Sequence, residues 1–194
     1  MKIRVPPARI YSSAEATAEW LAERNVRRVF AIGEEGLFRA LRLHGIRRAT
    51  KGVHYVVVSL DRAITYEKLS AACRLLTHGA HFIGSNPDPC YPVEHGQVPE
   101  CGAILAAIEV STGRKATIIG KPSPAIFRQA AKRLGLPVSR LTMIGDRLDT
   151  DILGAKRAGA SSVLVLTGHT TRKMLRSPIA RPDRVVDDLS ELHP

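Results

Sequence analysis

Asp146 and Asp151, in Gly145-Asp146-Arg147-Leu148-Asp149-Thr150-Asp151, are the residues of this chain whose types and spacing best suit chemistry. Leu141-Thr142-Met143-Ile144 before them reads as a buried strand. Gly145 supplies a turn. Asp146 then stands at the strand's carboxyl end, where open α/β sheets collect ligands. Asp151 falls in the first turn of the expected following helix, where its charge complements the helix dipole. Paired oxygen donors of this kind suit a hard cation such as Mg²⁺. The same spacing allows a plainer arrangement, in which Asp149 or Thr150 caps the helix and the other acids face solvent.

Two further stretches have a similar placement. Gly120-Lys121-Pro122-Ser123-Pro124 follows the apolar run 116–119. Gly permits a tight turn, and Pro is tolerated where a helix starts. Lys121 is thereby held at a strand end, where it could neutralise a phosphate or a carboxylate, or simply be solvated. Gly84-Ser85-Asn86-Pro87-Asp88 follows His81-Phe82-Ile83. Asn86 and Asp88 could make specificity contacts there, or form an Asx turn before proline.

The elements that must position these groups alternate. Ser12-x-x-Glu15 opens a helix through Ala22 as a capping box. Strands are expected at 26–32, 55–58, 81–83, 116–119, 141–144 and 163–166, with a short one at 184–186. Helices are expected around 37–44, 69–78, 102–111, 124–134 and up to Ala158. Alternation of this kind argues for parallel βαβ units. The segment 84–99, with Pro87, Pro89, Pro92 and Pro99, reads as loop. That loop and the return near 112–116 are the expected domain junction.

The bulk properties set limits. The chain has 194 residues, 44% of them hydrophobic, enough for a core. No apolar run of ~18 residues is present, and the opening Met1–Pro7 lacks an apolar signal core, so cytoplasm is the expected location. Cys73, Cys90 and Cys101 are odd in number, which disfavours a disulfide framework. A zinc site of Cys90, His95 and Cys101 fits no standard spacing. The net charge of +11 favours anionic partners. Aromatics are only 5% and do not alternate with the basic residues, so charge alone carries no nucleic-acid role.

The ordered set of motifs resembles the haloacid dehalogenase (HAD) superfamily, in subfamily IIA, the NagD-like and p-nitrophenyl-phosphatase branch. The matching pieces are Ile10-Tyr11-Ser12-Ser13-Ala14, Phe82 to Asp88, Cys101-Gly102-Ala103, Gly120 to Pro124, Gly145 to Ile152, and Leu164-Val165-Leu166-Thr167-Gly168. The resemblance implies Mg²⁺-dependent hydrolysis of a small phosphorylated metabolite, a sugar phosphate or nucleotide. In such enzymes an aspartate attacks phosphorus, and a second aspartate serves as general acid and base. By motif, Lys121 would balance charge on nucleophile and phosphate. Asp146 would be a metal ligand, and Asp151 the accompanying acid, on metal or orienting the loop. Asn86, Asp88 and Arg147 would face substrate.

The implied fold is α/β: a Rossmann-like core with an inserted α/β cap of the C2 type. Residues 1–13 would be a core remnant containing the third core strand at 9–12. Residues 14–115 would be the cap, a possible homodimer surface, and 116–194 the rest of the core. The core is expected to be incomplete. The family's strand ending in Asp-x-Asp has no counterpart, because the only Asp-x-Asp is Asp149-Thr150-Asp151, inside the later motif. Truncation, natural reduction to a binding or oligomerisation module, and supply of the missing strand by another polypeptide are the alternatives. In each case the chain alone is expected to be inactive, and Met143 and Ile144 are expected to lose a sheet neighbour.

Overall fold

The computed structural model describes residues 4–6, 9–176 and 179–192. Parts of the opening stretch (Met1–Ile3 and Pro7) and Pro178 lie outside them. The chain divides into two compact units, Met1–Gly120 and Lys121–Pro194.

In the first unit, α1 (Ser13–Ala22) starts at Ser12, whose hydroxyl accepts from the Glu15 N–H at 3.2 Å. The elements β1 (Arg28–Ile32), α2 (Glu35–Leu43), β2 (Arg47–Arg48), β3 (Tyr55–Val58), α3 (Tyr66–Thr77) and β4 (His81–Gly84) follow. After them come β5 (Cys90–Val93), β6 (Gly96–Pro99), α4 (Cys101–Thr112) and β7 (Thr117–Ile118). The main sheet is parallel throughout, in the order β2-β1-β3-β4-β7. Val56 and Val58 of β3 pack with Phe82, Leu76, Leu105 and Ile108 in one cluster, which is why the β3 sequence is continuously apolar.

Two expectations fail here. Residues 10–12 form no strand and lead directly into α1; a strand exists only where a neighbour completes its ladder. The segment read as loop contains an antiparallel hairpin, with Cys90 opposite Pro99 and Val93 opposite Gly96. Its prolines are tolerated because a two-stranded ribbon is all edge.

In the second unit, α5 (Pro124–Leu134) precedes β8 (Thr142–Gly145). A π-helical turn, Leu148–Ile152, then leads into α6 (Leu153–Ala158), and β9 (Ser161–Val165) and β10 (Arg184–Val186) complete the sheet. This sheet is parallel, in the order β10-β9-β8. Phe127, Ala155 and Ala160 fill one cluster and Leu148, Ile152 and Leu164 another. Among the described residues β8 has a partner on one side only. Its Ile144 is 46% exposed, as a strand that lacks a neighbour should be.

Candidate functional site

Lys121, Asp146 and Asp151 come together in the second unit. β8 delivers Asp146 at its carboxyl end, and the π-helical turn brings Asp151 back towards it. Asp151 is only 3% exposed. Its Oδ1 accepts from Lys121 Nζ at 2.6 Å. Its Oδ2 accepts the N–H groups of Asp146 and Arg147, both at 3.2 Å. A Cβ on Gly145 would lie 2.4 Å from that carboxylate, so the turn must be glycine. Asp151 therefore serves as a brace: one oxygen fixes the lysine, and the other fixes the backbone that presents Asp146.

Asp146 is held from the other side. Its Oδ2 accepts the His169 N–H at 2.7 Å, and its carbonyl accepts the Thr170 N–H at 3.1 Å. These partners lie in the loop after β9 and were not foreseen. The only sequence signal was Thr167-Gly168 at a strand end. Arg147 forks onto Asp149 through Nε (3.0 Å) and a terminal nitrogen (2.7 Å). That pairing, against the opposing effect of burial and with a smaller contribution from the charge of His169, holds the Asp149 carboxyl below the usual carboxylate range. Thus Asp149 pairs with arginine and does not act as a plain helix cap.

Asn86 and Asp88 belong to the first unit. Asn86 Nδ2 donates to Asp88 Oδ2 (3.0 Å) and to Glu100 Oε2 (2.8 Å). Burial, aided by the charge of Asp88, raises the Glu100 carboxyl, although the Cys101 N–H and Asn86 oppose the shift. Cys101 Sγ lies 3.5 Å from the Val58 carbonyl, and burial pushes its thiol up to about 11. Glu100, an acid facing Asn86, is a further residue the sequence reading missed. So is the pair of buried Asp61 with Lys68 at 2.7 Å, placed after β3.

The second unit's donors match part of what Mg²⁺ uses. That ion keeps several waters and takes one or two carboxylates together with phosphate oxygens. Asp146 supplies one carboxylate beside an ion-paired lysine. Among the described residues no group of three or more His, Cys, Asp or Glu could hold a metal ion by itself.

A parallel α/β sheet with a lysine and two aspartates at a strand's carboxyl end defines a hydrolase of the HAD type, and a HAD-hydrolase-like family model matches residues 118–192. The chain belongs to that superfamily, in the branch of the NagD-like and p-nitrophenyl phosphatases. It is 37% identical over 186 residues to the 5'-nucleotidase YutF of Bacillus subtilis, which covers 95% of this chain and 73% of the relative. An acid sugar phosphatase of Staphylococcus aureus is 38% identical over 193 residues, covering 98% and 74%. Among solved structures, the p-nitrophenyl phosphatase from Archaeoglobus fulgidus superposes with a TM-score of 0.89 at 37% identity, covering 96% of this chain and 74% of that one. NagD from E. coli K-12 gives 0.92 at 32% identity, covering 98% and 75%. The function of this lineage is phosphate-ester hydrolysis. Among the described residues no helix is long and apolar enough to cross a membrane.

Proposed function

We propose that this chain carries the phosphate- and metal-facing half of a HAD-type phosphatase centre for small phosphate monoesters, and that it does not turn over substrate by itself. The observation that carries this reading is the cluster of Lys121, Asp151 and Asp146 at the carboxyl end of β8. A lysine there offsets negative charge on a bound phosphoryl group. Asp151 keeps its ammonium in place, and Asp146 would hold Mg²⁺. Bound there, the ion would supply charge neutralisation and orientation of the phosphate.

The covalent route of this superfamily needs a carboxylate that attacks phosphorus and expels the alcohol. The 194 residues contain no Asp-x-Asp after an apolar strand. The edge of β8 that no strand among the described residues pairs with is where a strand bearing such a carboxylate would complete both the sheet and the site. The names of the relatives, a 5'-nucleotidase and acid sugar phosphatases, support a small phosphorylated metabolite as substrate.

The test is hydrolysis of p-nitrophenyl phosphate with Mg²⁺, using the chain and its Asp146→Ala variant. The expected result is no release of nitrophenol above background from either. Mg²⁺-dependent turnover that vanishes with Asp146→Ala would overturn the claim that the nucleophile must come from elsewhere.

A further inference from the structure

Five arginines gather at the amino-terminal end of the first unit's sheet. Arg24 and Arg27 lie just before β1, Arg28 opens it, and Arg47 and Arg48 form β2. Parallel pairing sets Arg28 directly opposite Arg47 and Val29 opposite Arg48. The Arg47 N–H donates to the Arg27 carbonyl at 2.9 Å. Two clefts of about 290 and 480 Å³ adjoin here and share Arg27 and Arg28 among their lining residues.

Among the described residues, no carboxylate forms an ion pair with any of the five. Three are oriented by neutral partners instead. Arg24 donates to the Trp20 carbonyl (3.1 Å) and stacks on the Trp20 ring (3.6 Å). Arg28 donates to the Lys51 carbonyl at 2.8 Å, and Arg48 lies 3.8 Å over the Phe38 ring. Their forks are fixed with no carboxylate in ion-pair contact, although Glu35 lies near enough to Arg48 to feel its charge. Both Gly45 and Gly52 have positive φ, +70° and +62°, and a Cβ on either would face an arginine head, Arg27 or Arg28.

Such crowding has a cost. Like charges placed directly opposite each other destabilise a strand pair. An edge strand does gain protection from charge, but a lone arginine on β2 would provide it. A set of pre-oriented guanidinium forks around a cleft suits phosphate oxygens, which they bind in bidentate fashion. Pre-orientation also lowers the ordering cost of binding. Among the described lining residues only His54 and Tyr55 carry aromatic rings, next to each other in one cleft, which falls short of the row of platforms that stacks successive bases. That favours a compact anion over single-stranded RNA.

We propose that these clefts bind a short polyphosphate chain, either free or as the tail of a nucleotide. The site lies at the opposite end of the strands from the loop of Asn86 and Asp88, and it does not depend on the phosphatase reading.

The test is calorimetric titration of the full chain with inorganic triphosphate and with ATP. Binding of either probe is expected to weaken about tenfold or more in Arg27→Gln/Arg47→Gln. It is expected to be unchanged in Arg62→Gln, which lies after β3 at the other end of the strands and is paired with Glu34. Equal affinities for the two probes would assign recognition to the phosphates alone, and tighter ATP would add a base contact. Binding of neither probe, or binding indifferent to the arginine pair, overturns the proposal. So does a short single-stranded RNA that outcompetes triphosphate and is equally sensitive to the arginines.

Discussion

Gly168 lies so close to Asp146 that a Cβ at position 168 would sit 2.2 Å from the aspartate's Oδ2, and 2.5 and 2.6 Å from its Cβ and Cγ. The clash involves the whole side chain, so a small rotation of the carboxylate cannot relieve it. The His169 N–H pins the same oxygen at 2.7 Å, which closes the other way out. Gly168→Ala is therefore expected to push the loop after β9 away from β8. Overpacking of this kind costs about 1–3 kcal/mol. Urea unfolding should show that loss, and the His169 amide should lose protection against hydrogen exchange. Unchanged protection at His169 would mean that Asp146 is not held from this loop.

Lys121 and Asp151 are unequal partners. Asp151 has a 4% exposed side chain and braces two backbone N–H groups as well as the lysine. Lys121 has a 43% exposed side chain, so solvent screens its share of the pair. Lys121→Met should cost only about 1 kcal/mol, because the carboxylate keeps its two backbone donors. Asp151→Ala strands both donors and should cost about 2–4 kcal/mol. Paired urea titrations with a common slope would measure the two losses. Equal losses would show that the salt bridge, and not the backbone brace, is the larger contribution.

The first sheet was legible because its central strands β3 and β4 are buried on both faces, and Tyr55-Val56-Val57-Val58 announces that condition without help from its neighbours. The position of Asp146 was legible for a similar reason, since an apolar run followed by Gly and Asp is a local pattern. What holds Asp146 was not. Its partners His169 and Thr170 are far along the chain, and they act through backbone N–H groups that carry no side-chain signature. The hairpin Cys90–Pro99 was hidden because Pro92 and Pro99 read as breakers, and only pairing at two outer edges tolerates them. The π-helical turn was equally hidden. The Arg147 carbonyl accepts from the N–H groups of both Asp151 and Ile152, which widens the turn. An ordinary helical reading placed Asp151 in a first turn and missed its reach back towards Gly145.

Asp183 ties β10 to β9 and gives the second unit a predictable response to acid. Its Oδ2 accepts from the N–H and the hydroxyl of Ser162, both at 2.8 Å, while Lys156 pairs with Oδ1. The Lys156 hydrogen bond first, and then those from Ser162, hold its carboxyl down to about 2. An unfolded chain returns an aspartate to about 3.9. The folded value is the lower one, so folding favours the ionised form. Its stabilising contribution is complete above the unfolded value and is lost as pH falls towards the folded one. Asp183→Asn removes the charge while preserving the shape. The stability gap between the parent chain and this variant should stay constant from neutral pH down to about 5, then narrow between about 4 and 2. Thermal unfolding followed by circular dichroism across that range would measure it. A gap that widens on acidification would show that Asp183 is not held ionised by Lys156 and Ser162.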